Sequence, residues 1–200
     1  ERLRKDVKYH AVIRSNFSPE DMIQSDYLHK GLGQDEFLIL GHFDHPSQVN
    51  DGLAGCIAAY EVIRRLNGRK TKNSYRAFSA VEIVGSVAYL EREQNESINF
   101  KEALFLGFAG INSPLVYQQS FYKQSRIDRI ARFLLQFNSE TQSNIFGHRE
   151  LIGNDENIFD SIGYEIPTGT LMRWPFVHYH TDADNLAITS EKAIEEVICF

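Results

Sequence analysis

Short continuous apolar runs alternate along this chain with stretches in which apolar residues recur every third or fourth position. Phe37-Leu-Ile-Leu-Gly41 is the clearest run, with the length and continuity of a strand buried on both faces. From Asp51 the period changes. Leu53, Cys56, Ile57, Tyr60 and Ile63 share one helical face, with Asn50 or Asp51 able to cap its start and Asn67-Gly68 able to stop it. Arg76 to Val81, Ala103 to Ala109 and Glu165 to Leu171 predict further strands, and Tyr9 to Arg14 a short one. The polar stretch Ser15 to Gln34 reads as a loop. Helices are predicted from Gly85 to Glu93, from Ser125 to Asn138, from Asn157 to Ile162, and from Ser190, whose hydroxyl can cap the last one. Such alternation predicts an α/β fold with a mainly parallel sheet between helices, in which functional groups gather at the carboxyl ends of the strands.

Composition narrows the function classes. Two hundred residues, 42% hydrophobic and 24% charged, describe one ordinary globular domain, residues 1–200. The net charge of -6 and the lack of a long basic run speak against nucleic acid as partner. No apolar run approaches the roughly 18 residues of a membrane span. Cys56 and Cys199 are too few for a disulfide framework and read as reduced core residues of a cytoplasmic protein. The chain opens at Glu1 without a methionine and stops inside a predicted helix, so a fragment of a longer chain is the alternative to a complete domain.

The candidate chemistry sits where the pattern changes. His42, Asp44, His45 and Asp51 follow the Phe37 strand within ten positions. A histidine just past a strand can present one ring nitrogen to a divalent metal, while Asp44 accepts the other ring N–H. Asp51, at a helix start, has two oxygens and so can bridge two metals. The alternative is a hydrogen-bonded loop in which Asp51 only caps; the density of the set favours a metal. Glu82 follows the Arg76 strand, as a ligand facing the same cleft or as a helix-start charge. His178 and His180 flank Tyr179, on one side of the chain if that segment is extended. Asp155 and Glu156 are first-turn acids of a short helix, or the source of a general base.

The combination His42-x-Asp44, Asn50-Asp51-Gly-x-Ala-Gly55, Glu82 ahead of Gly85-Ser86, and His180-Thr181 resembles the co-catalytic zinc aminopeptidases, the α/β group that includes the glutaminyl cyclases. It is similar, more closely, to a bacterial aminopeptidase-like branch of unassigned function. That likeness lies in His42-Phe-Asp-His45-Pro46-Ser47, Val81-Glu82-Ile-Val-Gly85-Ser86-Val-Ala-Tyr89-Leu90, Gly153-Asn-Asp155-Glu156 and Tyr179-His180-Thr181-Asp-Ala-Asp184-Asn185-Leu186. The resemblance implies a three-layer sandwich with a mixed, mainly parallel sheet. It implies Asp51 as a bridge between two zinc ions, His42 and Glu82 on the first and His180 on the second, with Asp44, His45 and Asp155 supporting the ligands from behind. The activity implied is hydrolysis of a small peptide or amide by zinc-activated water, with Arg173 either contacting a substrate carboxylate or serving as a structural ion pair. Two positions depart from the group. Ile111 stands where an aspartate ligand of the second zinc is expected, which weakens that site, and Val81 replaces the first of two adjacent glutamates. Glu156 then becomes the substitute base, and one or two zinc ions per chain are expected. A degenerate relative that keeps one metal for structure or ligand binding is the alternative.

Overall fold

The computed structural model describes residues 3–96, 100–138 and 144–200. Its centre is a seven-stranded mixed sheet built from β1 (Ser25–His29), β2 (Glu36–His42), β3 (Ser74–Ala80), β4 (Phe100–Gly107), β5 (Leu115–Gln118), β6 (Ile145–Phe146) and β7 (Thr168–Arg173). The order is β1-β3-β2-β4-β7-β5-β6. Strands β3, β2, β4 and β7 run parallel; β1 is antiparallel to β3, and β5 is antiparallel to β7. The expected mixed α/β sandwich is therefore what the chain forms.

The strand pattern explains the layers. In β2, Leu38 and Leu40 point to one face and Ile39 to the other, so both faces need a cover. Helix α1 (Ala54–Leu66), α3 (Arg126–Asn138) and α5 (Glu191–Cys199) cover the Ile39 face, through Ala58, Ile63, Ala131, Leu135 and Val197. Helix α2 (Val84–Glu96) and the short α4 (Glu156–Phe159) cover the Leu38 face, where Tyr89 stacks on Phe78 at 3.9 Å between centroids. The small residues Ala54, Gly55, Ala58 and Ala59 let α1 lie close against the sheet. A Cβ on Gly55 would sit 2.1 Å from the Leu106 carbonyl oxygen. Gly68, at φ +78, ends α1 as expected, and Ser190 caps α5 by accepting the Ala193 N–H.

Three expectations are corrected. Residues 3–24 form no strand, and Val12 and Ile13 stay 64% and 91% exposed; alternation makes a strand only where a sheet face buries its apolar side. The loop assigned to Ser15–Gln34 holds β1 instead, an edge strand too polar in Ser25-Asp26-Tyr27-Leu28-His29 to stand out, which takes its partner from β3. Neither Asn50 nor Asp51 caps α1. They lie in a wide irregular turn, Val49–Leu53, that precedes it, and their side chains are committed elsewhere.

Candidate metal centre

The parallel strands deliver their carboxyl ends to one edge of the sheet, and with them His42 from β2, Glu82 just past β3, and the segment after β7. His42 is the last residue of β2 and is 2% exposed. Its Nδ1 lies 3.2 Å from Asp44 Oδ1, and that oxygen also accepts the Glu82 N–H at 3.1 Å. Asp44 thus links the ends of β2 and β3 while orienting the imidazole. On the other side, His42 Nε2 is 3.5 Å from Asp51 Oδ1 and 3.5 Å from Asn154 Nδ2. Burial works against a charged His42 ring, but the neighbouring Asp51, Asp155 and Glu82 outweigh it and raise its pKa above the ordinary value.

Asp51 is the hub. Its side chain is 1% exposed, and Oδ2 lies 3.1 Å from His180 Nε2 and 3.4 Å from His45 Nδ1. That oxygen makes no hydrogen bond. Gly52 has to be glycine here, because a Cβ would stand 2.8 Å from the His42 ring. His45 Nε2 is 3.5 Å from Glu82 Oε2, and the His45 ring meets the rings of His42 and His180 edge-on at 4.9 and 5.2 Å. His180 reaches the cluster from a turn, not from an extended segment as expected: residues 177–180 turn, and His180 itself has φ +55. A left-handed backbone at a non-glycine residue recurs at functional sites. Tyr179 stacks on the His180 ring at 3.8 Å, whereas His178 faces Ile111, Phe176 and Ile188 instead of Asp51.

The donor set suits a metal ion. His45, Asp51 and His180 each offer one donor atom, and these lie within 4.8 Å of one another; a second such group is His42, Asp44 and His45. Tetrahedral zinc holds N and O ligands at about 2.0–2.2 Å, which spaces neighbouring ligands by about 3.4 Å. The 3.1 Å from Asp51 Oδ2 to His180 Nε2 is close to that spacing, while His45 Nδ1, 3.4 Å from the same oxygen, donates to the Asp51 carbonyl at 3.1 Å, which leaves Nε2 as the His45 nitrogen with a free lone pair. Among the described residues no lysine or arginine pairs with Asp44, Asp51, Glu82, Asp155 or Asp184, so the acidic side chains carry no built-in countercharge. His45, expected behind the ligands, stands in the centre of the cluster. Glu82, expected as a ligand, stands at its margin.

Other expected site residues fall outside the cluster. Asp155 is buried, and its Oδ1 accepts the Ile83 N–H at 2.8 Å and the Ser86 hydroxyl at 2.6 Å, pinning the start of α2. Glu156 is sealed at 1% exposure; its Oε1 accepts the Asn154 N–H, and no hydrogen bond or ion pair joins it to His42, Asp51, Glu82 or His180. Burial pushes the Glu156 carboxyl up to about 7; Oε1 is held by the Asn154 N–H, and Oε2 makes no hydrogen bond. The raised pKa has a consequence for stability. With a folded pKa of about 7 against an ordinary 4.5, the folded chain binds the extra proton, so this contribution is present below pH 4.5 and is lost as pH rises through 7. Glu156→Gln keeps the Oε1 acceptor and is expected to be more stable than wild type at pH 8 by on the order of 3 kcal/mol, with little difference at pH 4.5. Denaturant unfolding at both pH values checks this, and equal slopes for the two proteins would refute it. Asp160, also raised to about 7 by burial, leaves a residual slope in both.

Arg173 is corrected as well. The guanidinium is buried, donates to Ser113 O at 2.8 Å and Ala193 O at 3.0 Å, and pairs with Glu196 at 2.6 Å. It ties β7 to α5 and holds the loop after β4, which is the ion-pair alternative. Ile111 packs with Phe108, Val116, Met172 and Phe176 and offers no ligand. Asp184 and Asn154 stand in the motifs Tyr179–Leu186 and Gly153–Glu156, but nothing in those motifs predicts that Asp184 meets residues near 50.

Comparison with known proteins identifies the family and the fold. Residues 15–199 match the family described as Domain of unknown function (DUF4910). A Clostridium acetobutylicum protein, named as a candidate polysaccharide biosynthesis protein with an aminopeptidase-like domain, is 32% identical over 96% of this chain and 44% of its own length. The crystal structure of a candidate peptidase from Clostridium acetobutylicum superposes with a TM-score of 0.77 at 29% identity, over 88% of this chain and 42% of that one. A zinc aminopeptidase from Bacillus subtilis superposes with a TM-score of 0.67 at 14% identity, over 88% and 47%, and glutaminyl cyclases from Bacteroides thetaiotaomicron and Porphyromonas gingivalis share the fold at 14% and 13% identity. The chain thus spans less than half the length of the Clostridium relative. With its acidic and histidine side chains gathered at the strand ends of this sheet, the chain belongs to the DUF4910 family and has the fold of the zinc aminopeptidases and glutaminyl cyclases.

Proposed function

We propose that the protein is a metal-dependent hydrolase of the aminopeptidase type that cleaves a small peptide or amide. The observation that carries this reading is the convergence of His45, Asp51 and His180 on a buried carboxylate oxygen that no hydrogen bond satisfies. Three protein ligands with a position left open are the pattern of a catalytic zinc site. Zinc held there would supply Lewis acidity, lowering the pKa of a water and polarising the scissile carbonyl. His42, set by Asp44, keeps the second Asp51 oxygen in place. Glu82 is half-buried, and burial raises its pKa. As it is not one of the three ligands, its carboxylate is free to take a proton from the attacking water as the carbon–oxygen bond forms. The same proton then passes to the departing nitrogen as the carbon–nitrogen bond breaks. Tyr179, stacked on His180, shields one side of that ring from water.

Ile111 and Val81 favour the second reading, a relative that keeps one metal for structure or ligand binding without turnover. A pair of measurements separates the two: zinc per chain, and hydrolysis of aminoacyl chromogenic substrates with and without chelator. Glu82→Gln is expected to bind zinc as the wild type does while kcat falls about 100-fold or more. Unchanged kcat in that variant would remove Glu82 from the chemistry. Zinc bound with no turnover on any substrate would leave the second reading in possession. Among the described residues no helix is long and apolar enough to cross a membrane. Cys56 and Cys199 are free, and we place the protein in the cytoplasm on that basis. Cys56 is buried, as expected of a core residue, whereas Cys199 is exposed and does not meet that expectation.

A further inference from the structure

We propose that Asp184 is a positioning residue that locks the turn carrying Asp51 to the turn carrying His180, and so sets the distance between those two side chains. The inference deepens the metal reading and rests on it. Asp184 is fully buried at 0% exposure and has no lysine or arginine partner. Its Oδ1 accepts the Asn50 backbone N–H and the Asn50 side-chain amide, each at 2.9 Å, and its Oδ2 accepts the Asp51 N–H at 2.9 Å. A buried carboxylate without a countercharge is costly unless its oxygens are satisfied. Here every donor comes from the two residues of the irregular turn that presents Asp51.

The other end of the clamp is equally short. The Thr181 N–H donates to the His178 carbonyl at 3.1 Å and closes the turn that carries His180, and the Asp184 N–H donates to the Thr181 carbonyl at 3.1 Å and closes the turn that follows it directly. Asn50 continues the link, donating to the Thr189 hydroxyl at 3.0 Å. The gap behind it is closed by the loop after β4, where a Cβ on Gly110 would stand 2.5 Å from Asn50 Oδ1. Segments 133 and 134 positions apart in the chain are thereby held in one register. An asparagine at 184 would offer one acceptor oxygen and turn an NH₂ toward N–H donors. The turn would fold back imperfectly, and Asp51 and His180 would lose their mutual placement.

The test is zinc affinity, read by competition with a chromogenic chelator on protein shown to be folded by near-UV circular dichroism. Asp184→Asn is expected to weaken zinc binding about 10- to 100-fold, whereas Asp182→Asn, an exposed carboxylate two residues earlier, keeps wild-type affinity. If Asp184→Asn does not fold, Asn50→Ala carries the test, since it removes one donor and leaves the two backbone ones; an intermediate loss of affinity is expected. A folded Asp184→Asn that loses thermal stability but binds zinc as tightly as wild type would overturn the inference alone, and so would Asn50→Ala at wild-type affinity. A wild-type protein that binds no zinc would overturn the metal reading and the inference together.

Discussion

Asp51→Asn is expected to abolish zinc binding and every zinc-dependent activity, with little effect on the metal-free fold. The substitution preserves the size of the side chain and the Asp51 N–H donated to Asp184. It removes the negative charge that His42, His45 and His180 share, and a neutral amide is a poor ligand for a divalent ion. The effect is best read as linkage. Wild-type protein in zinc at a thousandfold excess over its Kd gains about 4 kcal/mol of stability, which for a chain of this size raises Tm by about 10 °C. The variant should melt at the wild-type metal-free temperature whether or not zinc is present. Retention of one zinc per chain by Asp51→Asn would mean that the ion sits elsewhere, and the proposed centre would have to be abandoned.

The second large effect is structural and reaches the site through α1. Gly55→Ala places a methyl group 2.1 Å from the Leu106 carbonyl oxygen, a backbone atom in the middle of the sheet that has no rotamer with which to escape. The helix must lift from β4, and the cost expected is about 3 kcal/mol, or a loss in Tm of about 10 °C. Because the Val49–Leu53 turn leads directly into α1, the displacement also moves Asp51, so zinc affinity should fall with stability. Gly68→Ala is the contrasting case. Nothing lies within 4 Å of its missing Cβ, and only the left-handed φ of +78 opposes a side chain. About 1 kcal/mol is expected there, with zinc affinity untouched. Equal losses for the two glycines would show that helix–sheet contact at Gly55 is not what limits stability.

Elements whose pattern is local were legible before folding. The Phe37 run became β2, and the 3-to-4 spacing from Leu53 to Ile63 became α1, because burial on a sheet or a helix face acts on nearby residues with fixed periods. The glycine stop at Gly68 and the serine cap at Ser190 are equally local. The residue types of the site were legible too, since His42, Asp44, His45, Asp51, Glu82 and His180 all lie at predicted strand ends or turns.

Which of these side chains meet depends on packing between distant segments. Tyr9–Arg14 carries a strand pattern but no sheet face covers it, while the polar Ser25–His29 became a strand because β3 offers it an open edge. His45 joins Asp51 and His180 in one group of donor atoms, and Glu82 stays outside it. Glu156 acquired a base-like pKa by burial while its Oε1 was taken up by the Asn154 N–H, and Arg173 was taken up by Glu196. Asp184 meets Asn50 and Asp51 across 133 to 134 positions, through backbone N–H groups that every residue type carries. A contact made by backbone donors leaves no mark in the side-chain pattern, and so it becomes visible only when the chain is folded.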